Sequence, residues 1–298
     1  MKPPKFDYFD PTTIEEVVDL LGQYGPDARV LAGGQSLIPL MNFRLARPAV
    51  VVDINRVEAL DYVSMAGEKL AIGAMTRQRV LATDAIRSRC GLLTEAATFI
   101  SHPQIRNRGT VGGSVAHADP AAELPAIVRA LDGEMRVRGP QGERTIEAKD
   151  FFVGVLTTAM EPSEMLVEVR LPVLGPDTGW ALEEVALRHG DFAIAGVTAV
   201  VTVDANETCA DVRMAAISVS GTPFRELEAE RLLVGEKISD SLFEEAGHRL
   251  AQRTEPSTDL HASAEQRRHL VGVLAKKALK RAAESALANL RRGDKTNA

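Results

Sequence analysis

The chain has 298 residues, of which 45% are hydrophobic and 26% are charged, and it contains 23 glycines and 15 prolines. That composition excludes collagen-like and low-complexity classes, and the length is sufficient for two or three domains with cores of their own. The formal net charge of −6 argues against a nucleic-acid partner. Because the sequence has no run of about 18 apolar residues and no signal-peptide pattern, we expect a cytoplasmic protein without a transmembrane segment.

Residues 1–57 are predicted to form a small α/β unit. Thr13 and Glu16 have the spacing of a capping box at the start of an amphipathic helix. A strand over 28–32 leads directly into a glycine pair, and a second strand is expected over 49–53.

Residues 58–175 show a different pattern, in which short strands alternate with helices. The strands are expected near 62–64, 70–72, 134–138 and 165–171, and the helices near 76–99 and 121–131. Between the helices lies a segment rich in turn-forming residues, 101–114, which contains a second glycine pair. A linker with two prolines and two glycines, 172–179, ends the region.

The last part of the chain, 176–298, is predicted to be a separate α+β domain. Long β-branched runs predict an antiparallel sheet over 180–187, 194–203 and 212–219, followed by three helices near 224–233, 239–251 and 265–290. Residues 265–298 carry nine Lys and Arg against three Asp and Glu. This excess has two interpretations: a surface for an acidic partner, or the solvated face of a helix with basic residues near its C-terminal end.

The two glycine-containing loops are the main candidates for a ligand site. The first comprises Ala32, Gly33, Gly34, Gln35 and Ser36, and the second comprises Thr110, Val111, Gly112, Gly113 and Ser114. Glycines allow close approach of a backbone and positive φ, and successive amides in such turns form an anion site. Ser36 is expected to cap a short helix whose N-terminus favours phosphate. Together the two loops predict a binding site for one diphosphate, although each glycine pair alone is also typical of an ordinary tight turn.

Other common chemistries have no motif here. The sequence lacks the Gly-x-Gly-x-x-Gly fingerprint, the phosphate loop that ends in Gly-Lys-Ser/Thr, the His-Glu-x-x-His zinc motif and the Gly-x-Ser-x-Gly elbow. The two cysteines, Cys90 and Cys209, cannot hold an iron–sulfur cluster alone. We therefore predict no catalytic side chain and no metal site in this chain.

Two further residues have alternative interpretations. Glu123 opens a predicted helix, where its carboxylate either accepts hydrogen bonds from a sugar or ribityl hydroxyl or compensates the helix dipole. Phe192 follows a turn at His189-Gly190, and it is either a core residue or an aromatic lid that stacks on a flat ring.

Four motifs in order give the sequence a resemblance to a known family. The chain resembles the FAD-binding medium subunits of molybdenum hydroxylases, which include flavoprotein subunits of aerobic carbon monoxide dehydrogenase and nicotine dehydrogenase and the flavin domain of xanthine dehydrogenase. The motifs that carry the resemblance are Ala32-Gly-Gly-Gln-Ser-Leu-Ile-Pro39, Ile105-Arg-Asn-Arg-Gly-Thr-Val-Gly-Gly-Ser114, Asp119-Pro-Ala-Ala-Glu-Leu-Pro125 and Arg188-His-Gly-Asp-Phe-Ala193.

The resemblance implies an α+β fold with three parts. Residues 1–57 and 58–175 would form the N-terminal and middle subdomains of a two-part FAD-binding domain of the vanillyl-alcohol-oxidase (PCMH) type. Residues 176–298 would form a C-terminal flavoprotein domain with an antiparallel sheet and three helices.

The resemblance also implies the contacts of the cofactor. The two loops would bind the diphosphate of a noncovalent FAD, Glu123 its hydroxyls, and Leu166 would lie on the adenine side. Ile100 and Phe192 would lie near the isoalloxazine ring. Glu184 stands where many relatives have a Lys that contacts FAD, so that contact is in doubt for this chain.

The function implied by the resemblance belongs to an assembly. The chain would be an oxidoreductase subunit that passes electrons from [2Fe–2S] clusters on a small partner to an external acceptor, while a large partner holds the molybdopterin. Relatives imply a dimer of heterotrimers. The alternatives are a self-contained FAD-dependent oxidoreductase with its own substrate site and a nucleotide-binding scaffold subunit without catalytic work.

Overall fold

The computed structural model describes residues 2–296, so Asn297 and Ala298, at the end of the predicted third domain, lie outside it. The strands are β1 (Asp7–Phe9), β2 (Ala28–Leu31), β3 (Val50–Asp53), β4 (Val63–Ala66), β5 (Lys69–Gly73), β6 (Glu134–Gly139), β7 (Gly142–Glu147), β8 (Phe152–Gly154), β9 (Thr157–Thr158), β10 (Met165–Pro172), β11 (Thr178–Val185), β12 (Ala195–Val203) and β13 (Cys209–Ile217). The helices are α1 (Ile14–Tyr24), α2 (Leu37–Asn42), α3 (Asp84–Arg87), α4 (Gly91–Phe99), α5 (Pro103–Arg106), α6 (Val111–His117), α7 (Glu123–Ala130), α8 (Ala148–Phe151), α9 (Leu227–Arg231), α10 (Asp240–Arg253) and α11 (Ala264–Thr296), with 3-10 turns over Gly25–Asp27, Glu58–Leu60 and Gln78–Ala82.

The chain divides into two compact units that are discontinuous in sequence. The first contains the residues up to Leu81 together with His102–Ala118 and Gly133–Pro172, and the second contains Ala82–Ser101, Asp119–Asp132 and the residues from Val173 onward. The second unit thus takes α3, α4 and α7 from the region between 58 and 175. The three-part division at residues 57 and 175 stays a prediction.

The start of the first unit is a parallel sheet in the order β1-β3-β2, covered by α1. The predicted capping box is confirmed, because the Thr13 side chain accepts from the Glu16 amide and the Glu16 carboxylate accepts from the amide of Thr13. Val17 and Leu21 on α1 are buried in one core with Val50 and Val52 of β3. Because parallel strands end at the same edge of a sheet, the residues after β2 and β3 lie side by side there.

The remainder of the first unit is an antiparallel sheet in the order β4-β5-β10-β6-β7, with β8 and β9 as a separate pair. Strand β7 was not predicted from the sequence. It is an edge strand whose residues Glu143, Arg144 and Glu147 are exposed, and charged edge strands lack the alternation by which a half-buried strand is recognised. All three charges lie in ion pairs: Arg144 with Glu164 at 2.7 Å, Glu147 with Lys149 at 2.6 Å, and Glu143 with Arg136.

The second unit confirms the predicted antiparallel sheet and the three C-terminal helices. Strands β11, β12 and β13 pair in that order, and α10 and α11 share one core with residues of β12 such as Val197 and Val201. Basic residues of α11 form ion pairs within the unit, as the interpretation of a solvated helix face predicts. These pairs include Lys276–Glu244 at 2.7 Å, Lys280–Asp240 at 2.9 Å and Arg291–Glu207 at 2.8 Å.

The region 76–99, predicted as one helix, forms a 3-10 turn followed by α3 and α4. The start of α4 is set by a close approach within the second unit. A Cβ on Gly91 would lie 2.1 Å from Cζ2 of Trp180, so only glycine permits the indole ring at this point. No helix formed by residues 2–296 combines the length and the apolar character that crossing a lipid bilayer requires.

Candidate functional site

The two glycine-containing loops lie against each other in the first unit. A Cβ on Gly33 would lie 2.5 Å from the carbonyl oxygen of Arg108 and 2.7 Å from Cα of Gly109. A Cβ on Gly113 would lie 3.5 Å from Cβ of Ala32. The fold therefore brings together two segments that are far apart in the sequence, and Gly33 is required because the backbone of the second segment occupies the space of a side chain.

The first loop has the conformation and the free donors of an anion site. Gly34 has a φ of +74°, which glycine adopts without strain, and Gln35 closes the loop by donating from Nε2 to the carbonyl of Gly33 at 2.8 Å. Within the described chain, the backbone amides of Gly33 to Ser36 donate to no protein acceptor. Successive amides without protein partners form the concave donor arrangement that binds phosphate groups.

The expectation that Ser36 caps the next helix is wrong. Ser36 precedes α2, but its side chain makes no capping hydrogen bond. Its backbone has helical angles, φ −106° and ψ −49°, whereas a capping side chain requires an extended backbone to reach back to the first turn. The carbonyl of Gly34 instead accepts from the amide of Ile38 at 3.2 Å, so the chain turns into α2 through the glycine.

The second loop differs from the first, because it is the start of helix α6 and not a turn after a strand. Thr110 is the N-cap, and its side chain accepts from the amide of Gly113 at 3.0 Å. Gly112 has no positive φ and is required for packing: a Cβ there would lie 2.5 Å from Cβ of Ala74. Two glycines in a first turn lower helix propensity, and the close packing of Gly112 against Ala74 is what requires one of them.

The amides of the second loop are used inside the protein. Val111 donates to the carbonyl of Thr76 at 2.9 Å, Gly112 to that of Ala74 at 3.0 Å, and Ser114 to that of Thr110 at 3.2 Å. The amide of Gly113 donates to the Thr110 side chain. The free donors for an anion are therefore on the first loop, and the second loop supplies a close, nearly side-chain-free wall.

Leu166, predicted to lie on the adenine side, is buried in β10 of the same unit with 5% of its surface exposed. The strand is irregular here, since its register with β6 shifts between Leu166 and Glu168. The neighbouring Val167 carbonyl accepts from the amide of Ala74 at 2.9 Å. Leu166 is thus adjacent in sequence to a residue that bonds to Ala74, and its contact with a ligand stays a prediction.

Glu123, in the second unit, is the first residue of α7 and only 6% exposed. Burial raises the pKa of its carboxyl to about 7, and the charge of Asp119 raises it further, while its own backbone amide opposes the shift. A carboxylate that only compensated a helix dipole would keep its solvation, so burial of this group favours a hydrogen-bonding role over simple charge compensation.

Glu184 in β11 occupies the position where relatives were expected to have Lys. Burial raises the pKa of its carboxyl to about 8, with a further contribution from the charge of Glu123. Its Oε2 atom is buried and has no hydrogen-bond partner among the residues described. A carboxyl here cannot donate as Lys does unless it is protonated, and the raised pKa favours that neutral form near neutral pH.

The two predicted ring neighbours differ in exposure. Ile100 ends α4 and is buried in the second unit, whereas Phe192 is 61% exposed, which excludes a core role for its ring. The segment after Phe192 is held by Arg267 of α11, a residue that no sequence pattern indicated. Arg267 donates from Nη1 to the carbonyl of Ile194 at 2.6 Å and from Nη2 to Asp259 at 2.6 Å.

Comparisons with known proteins match this chain along almost its full length. Residues 4–174 match the family model described as FAD binding domain in molybdopterin dehydrogenase, and residues 180–282 match the CO dehydrogenase flavoprotein C-terminal domain. The chain is 41% identical to the 6-hydroxypseudooxynicotine dehydrogenase complex subunit alpha of Paenarthrobacter nicotinovorans, over 95% of this chain and 96% of that one.

Solved structures are similar over the same extent. The carbon monoxide dehydrogenase of Hydrogenophaga pseudoflava matches with a TM-score of 0.93 and 38% identity, covering 96% of this chain and 99% of that chain. The quinoline 2-oxidoreductase of Pseudomonas putida 86 matches with a TM-score of 0.91 and 34% identity, covering 96% and 99%. These similarities confirm the α+β fold class that the sequence resemblance implied.

Proposed function

The chain belongs to the family of FAD-binding subunits of molybdopterin dehydrogenases, and from this premise we propose that it is the FAD-carrying electron-transfer subunit of a heterotrimeric molybdenum hydroxylase. In this role it passes electrons from the [2Fe–2S] clusters of a partner subunit to an external acceptor. The names of its relatives support the proposal, because one is a dehydrogenase complex subunit and another is a carbon monoxide dehydrogenase medium chain.

The observation that carries the proposal is the packing of the two loops, with four successive free amides on the first. This arrangement fits a diphosphate, since an anion can replace water as the acceptor of these amides. FAD, when bound, supplies the redox chemistry. The chain's own work is to bind the cofactor, orient it and exclude water from part of it.

The individual contacts are proposed on two grounds, the geometry of the loops and the family resemblance. Gly33 to Ser36 are proposed as the amide donors, and Thr110 to Ser114 as the wall that faces them. The roles of Leu166 in the first unit and of Ile100, Glu123 and Phe192 in the second rest on the family resemblance. For Glu123 the resemblance is supported by a buried carboxyl with a raised pKa, and for Phe192 by the exposure of its ring.

We further propose a small iron–sulfur subunit and a large molybdopterin subunit as partners, in a dimer of heterotrimers located in the cytoplasm. FAD is proposed to be noncovalent, with molybdopterin and [2Fe–2S] clusters only on the partners. The substrate is then chosen by the large subunit.

The decisive experiment is a cofactor inventory of the purified full chain. We expect one FAD per chain after reconstitution, with the flavin released intact by acid, and neither iron nor molybdenum by metal analysis. Iron bound to the single chain, or no FAD after reconstitution, would contradict the proposal.

The self-contained oxidoreductase is tested separately by flavin reduction. Under the proposed function, the substrate of the native complex bleaches the flavin absorbance only when the two partner subunits are present. Bleaching by substrate in the isolated chain would favour the self-contained enzyme.

A further inference from the structure

Two side chains outside both loops connect them to each other. Asn55 follows β3 and donates from Nδ2 to the carbonyl of Ala32 at 2.7 Å. Arg77 donates from Nη2 to Oδ1 of Asn55 at 2.6 Å and from Nη1 to the carbonyl of Arg108 at 2.5 Å. The carbonyl that begins the first loop and the carbonyl that precedes the second are thus joined through one amide and one guanidinium group.

The connection is anchored at both of its ends. Asn55 is held by Asp53, whose Oδ1 accepts from both the backbone amide of Asn55 at 2.9 Å and its Nδ2 at 2.6 Å. Arg77 pairs through its backbone with Thr110 in an isolated antiparallel bridge. The side chains of Asn55 and Arg77 therefore have little freedom. The two Nη groups of Arg77 fix the distance between the Arg108 carbonyl and the side-chain oxygen of Asn55.

The guanidinium group of Arg77 has no direct ion-pair partner in the described part of the first unit. None of the ion pairs between described residues includes Arg77, although its side chain is only partly exposed. Burial lowers the pKa of its guanidinium and the neighbouring Arg108 lowers it further, while the carboxylates of Asp61 and Asp53 oppose the shift. A cation held between the carbonyl of Arg108 and the side chain that binds the carbonyl of Ala32 attracts a multiply charged anion to the place where the two loops meet.

We propose that Asn55 and Arg77 are positioning residues for the diphosphate of the cofactor, which hold the two loops at the required spacing and add a positive charge beside them. The inference rests on the proposed FAD binding and deepens it, because it assigns recognition of a nucleoside diphosphate to residues outside both glycine loops. The ring system of the flavin is not involved, so a diphosphate without a flavin depends on the same two residues.

The test compares variants of the full chain after removal of FAD. Asn55→Ala removes the link to Ala32, Arg77→Met removes the fork and the charge, and Arg77→Lys keeps the charge but cannot donate to both acceptors in the same geometry. Arg56→Ala is the matched control, since Arg56 is the exposed neighbour of Asn55 and pairs with Asp10 at 2.8 Å. Affinities for FAD and for ADP are measured at several salt concentrations.

We expect each of the variants Asn55→Ala and Arg77→Met to bind FAD roughly ten- to hundredfold more weakly than wild type, as the loss of one or two hydrogen bonds to loop carbonyls predicts. Within each variant, the affinity for ADP should fall by the same factor as the affinity for FAD. Arg77→Met also flattens the salt dependence of the affinity, whereas Asn55→Ala and Arg77→Lys leave that dependence as in the wild type. Arg56→Ala retains wild-type affinity for both ligands.

Three results would overturn the inference while FAD binding by the wild type stands. These are wild-type affinity in both Asn55→Ala and Arg77→Met, a loss for FAD without a loss for ADP, and an equal loss in Arg56→Ala. If Asn55→Ala or Arg77→Met does not fold, Asn55→Ser and Arg77→Lys replace them. We then expect a smaller loss of affinity that is again equal for FAD and ADP. A wild-type chain that binds no FAD contradicts the proposed function itself, which is a distinguishable outcome.

Discussion

The close contact between the two loops predicts the effect of adding one methyl group at Gly33. In Gly33→Ala the new Cβ would lie 2.5 Å from the Arg108 carbonyl oxygen and 2.7 Å from Cα of Gly109, both of which are backbone atoms that cannot rotate away. The φ of Gly33 is not positive, so the backbone itself imposes no strain on alanine. The loops must separate by about 1 Å to restore an ordinary contact distance.

The magnitude follows from that separation. Overpacking of this kind costs about 1–3 kcal/mol of folding free energy. A shift of about 1 Å also lengthens hydrogen bonds from the loop amides to a diphosphate, and each such charge-assisted bond contributes about 1.5–3 kcal/mol. We therefore expect FAD affinity to fall roughly ten- to hundredfold, at about 1.4 kcal/mol for each factor of ten.

The assay is titration of the FAD-free chain with FAD, followed by quenching of flavin fluorescence, together with urea unfolding of the same samples. Gly22→Ala is the control, because a Cβ there would lie 3.6 Å from Cγ of Pro140, an ordinary contact, inside α1. We expect the control to keep full FAD affinity and to gain up to about 1 kcal/mol of stability. Wild-type affinity and stability in Gly33→Ala would refute the close approach of the loops on which the site is built.

Three further predictions concern single side chains. The pKa of Glu184 is raised from its ordinary 4.5 to about 8, so the stability that its protonated form gives is complete below pH 4.5 and is lost as the pH rises toward 8. Glu184→Gln should remove this loss, so that urea unfolding shows about 1–3 kcal/mol more stability than wild type at pH 9 and little difference at pH 4.5. Parallel pH profiles of the two proteins would contradict this prediction. Thr110→Val removes the N-cap bond to Gly113 and should cost about 0.5–2 kcal/mol in urea unfolding, whereas Thr110→Ser should retain most of it, and equal losses in the two variants would argue against the cap. Phe192→Leu should change stability by less than about 0.5 kcal/mol because the ring is exposed, while shifting the visible absorbance of bound FAD if the ring lies against it; an unchanged flavin spectrum would exclude that contact.

The sequence predicted the elements whose signal is local. The capping box at Thr13 and Glu16 depends on residues three apart, and the long β-branched runs of β12 and β13 need no distant partner to be recognised. The sequence pattern was weak at the strand and the helix that form because of their tertiary contacts. The edge strand β7 is charged, and helix α6 begins with two glycines, so both were missed.

Glycine and turn chemistry identified the two loops and the family resemblance identified the cofactor, but both loops were assigned the same character. The tertiary structure distinguishes them, since the amides of the first have no protein acceptor and those of the second are used by Thr76, Ala74 and Thr110. Whether an amide is free depends on the carbonyl that faces it, and that carbonyl belongs to a distant part of the chain. No pattern of neighbouring residues records it.

The sequence by itself determined many of the strands and helices and the two candidate loops, because each depends on periodicity, capping or turn chemistry within a few residues, while the fold of the whole chain followed from the family resemblance. Only the tertiary structure decided that Gly33 lies against Arg108 and Gly109, and that Asn55 and Arg77 join the two loops. It also decided that Glu123 and Glu184 are buried, and that the charge of Glu123 adds to the raised pKa of Glu184. The physical reason is that packing distance, desolvation and hydrogen-bond pairing are properties of atoms that meet in space and not of residues that are adjacent in the chain.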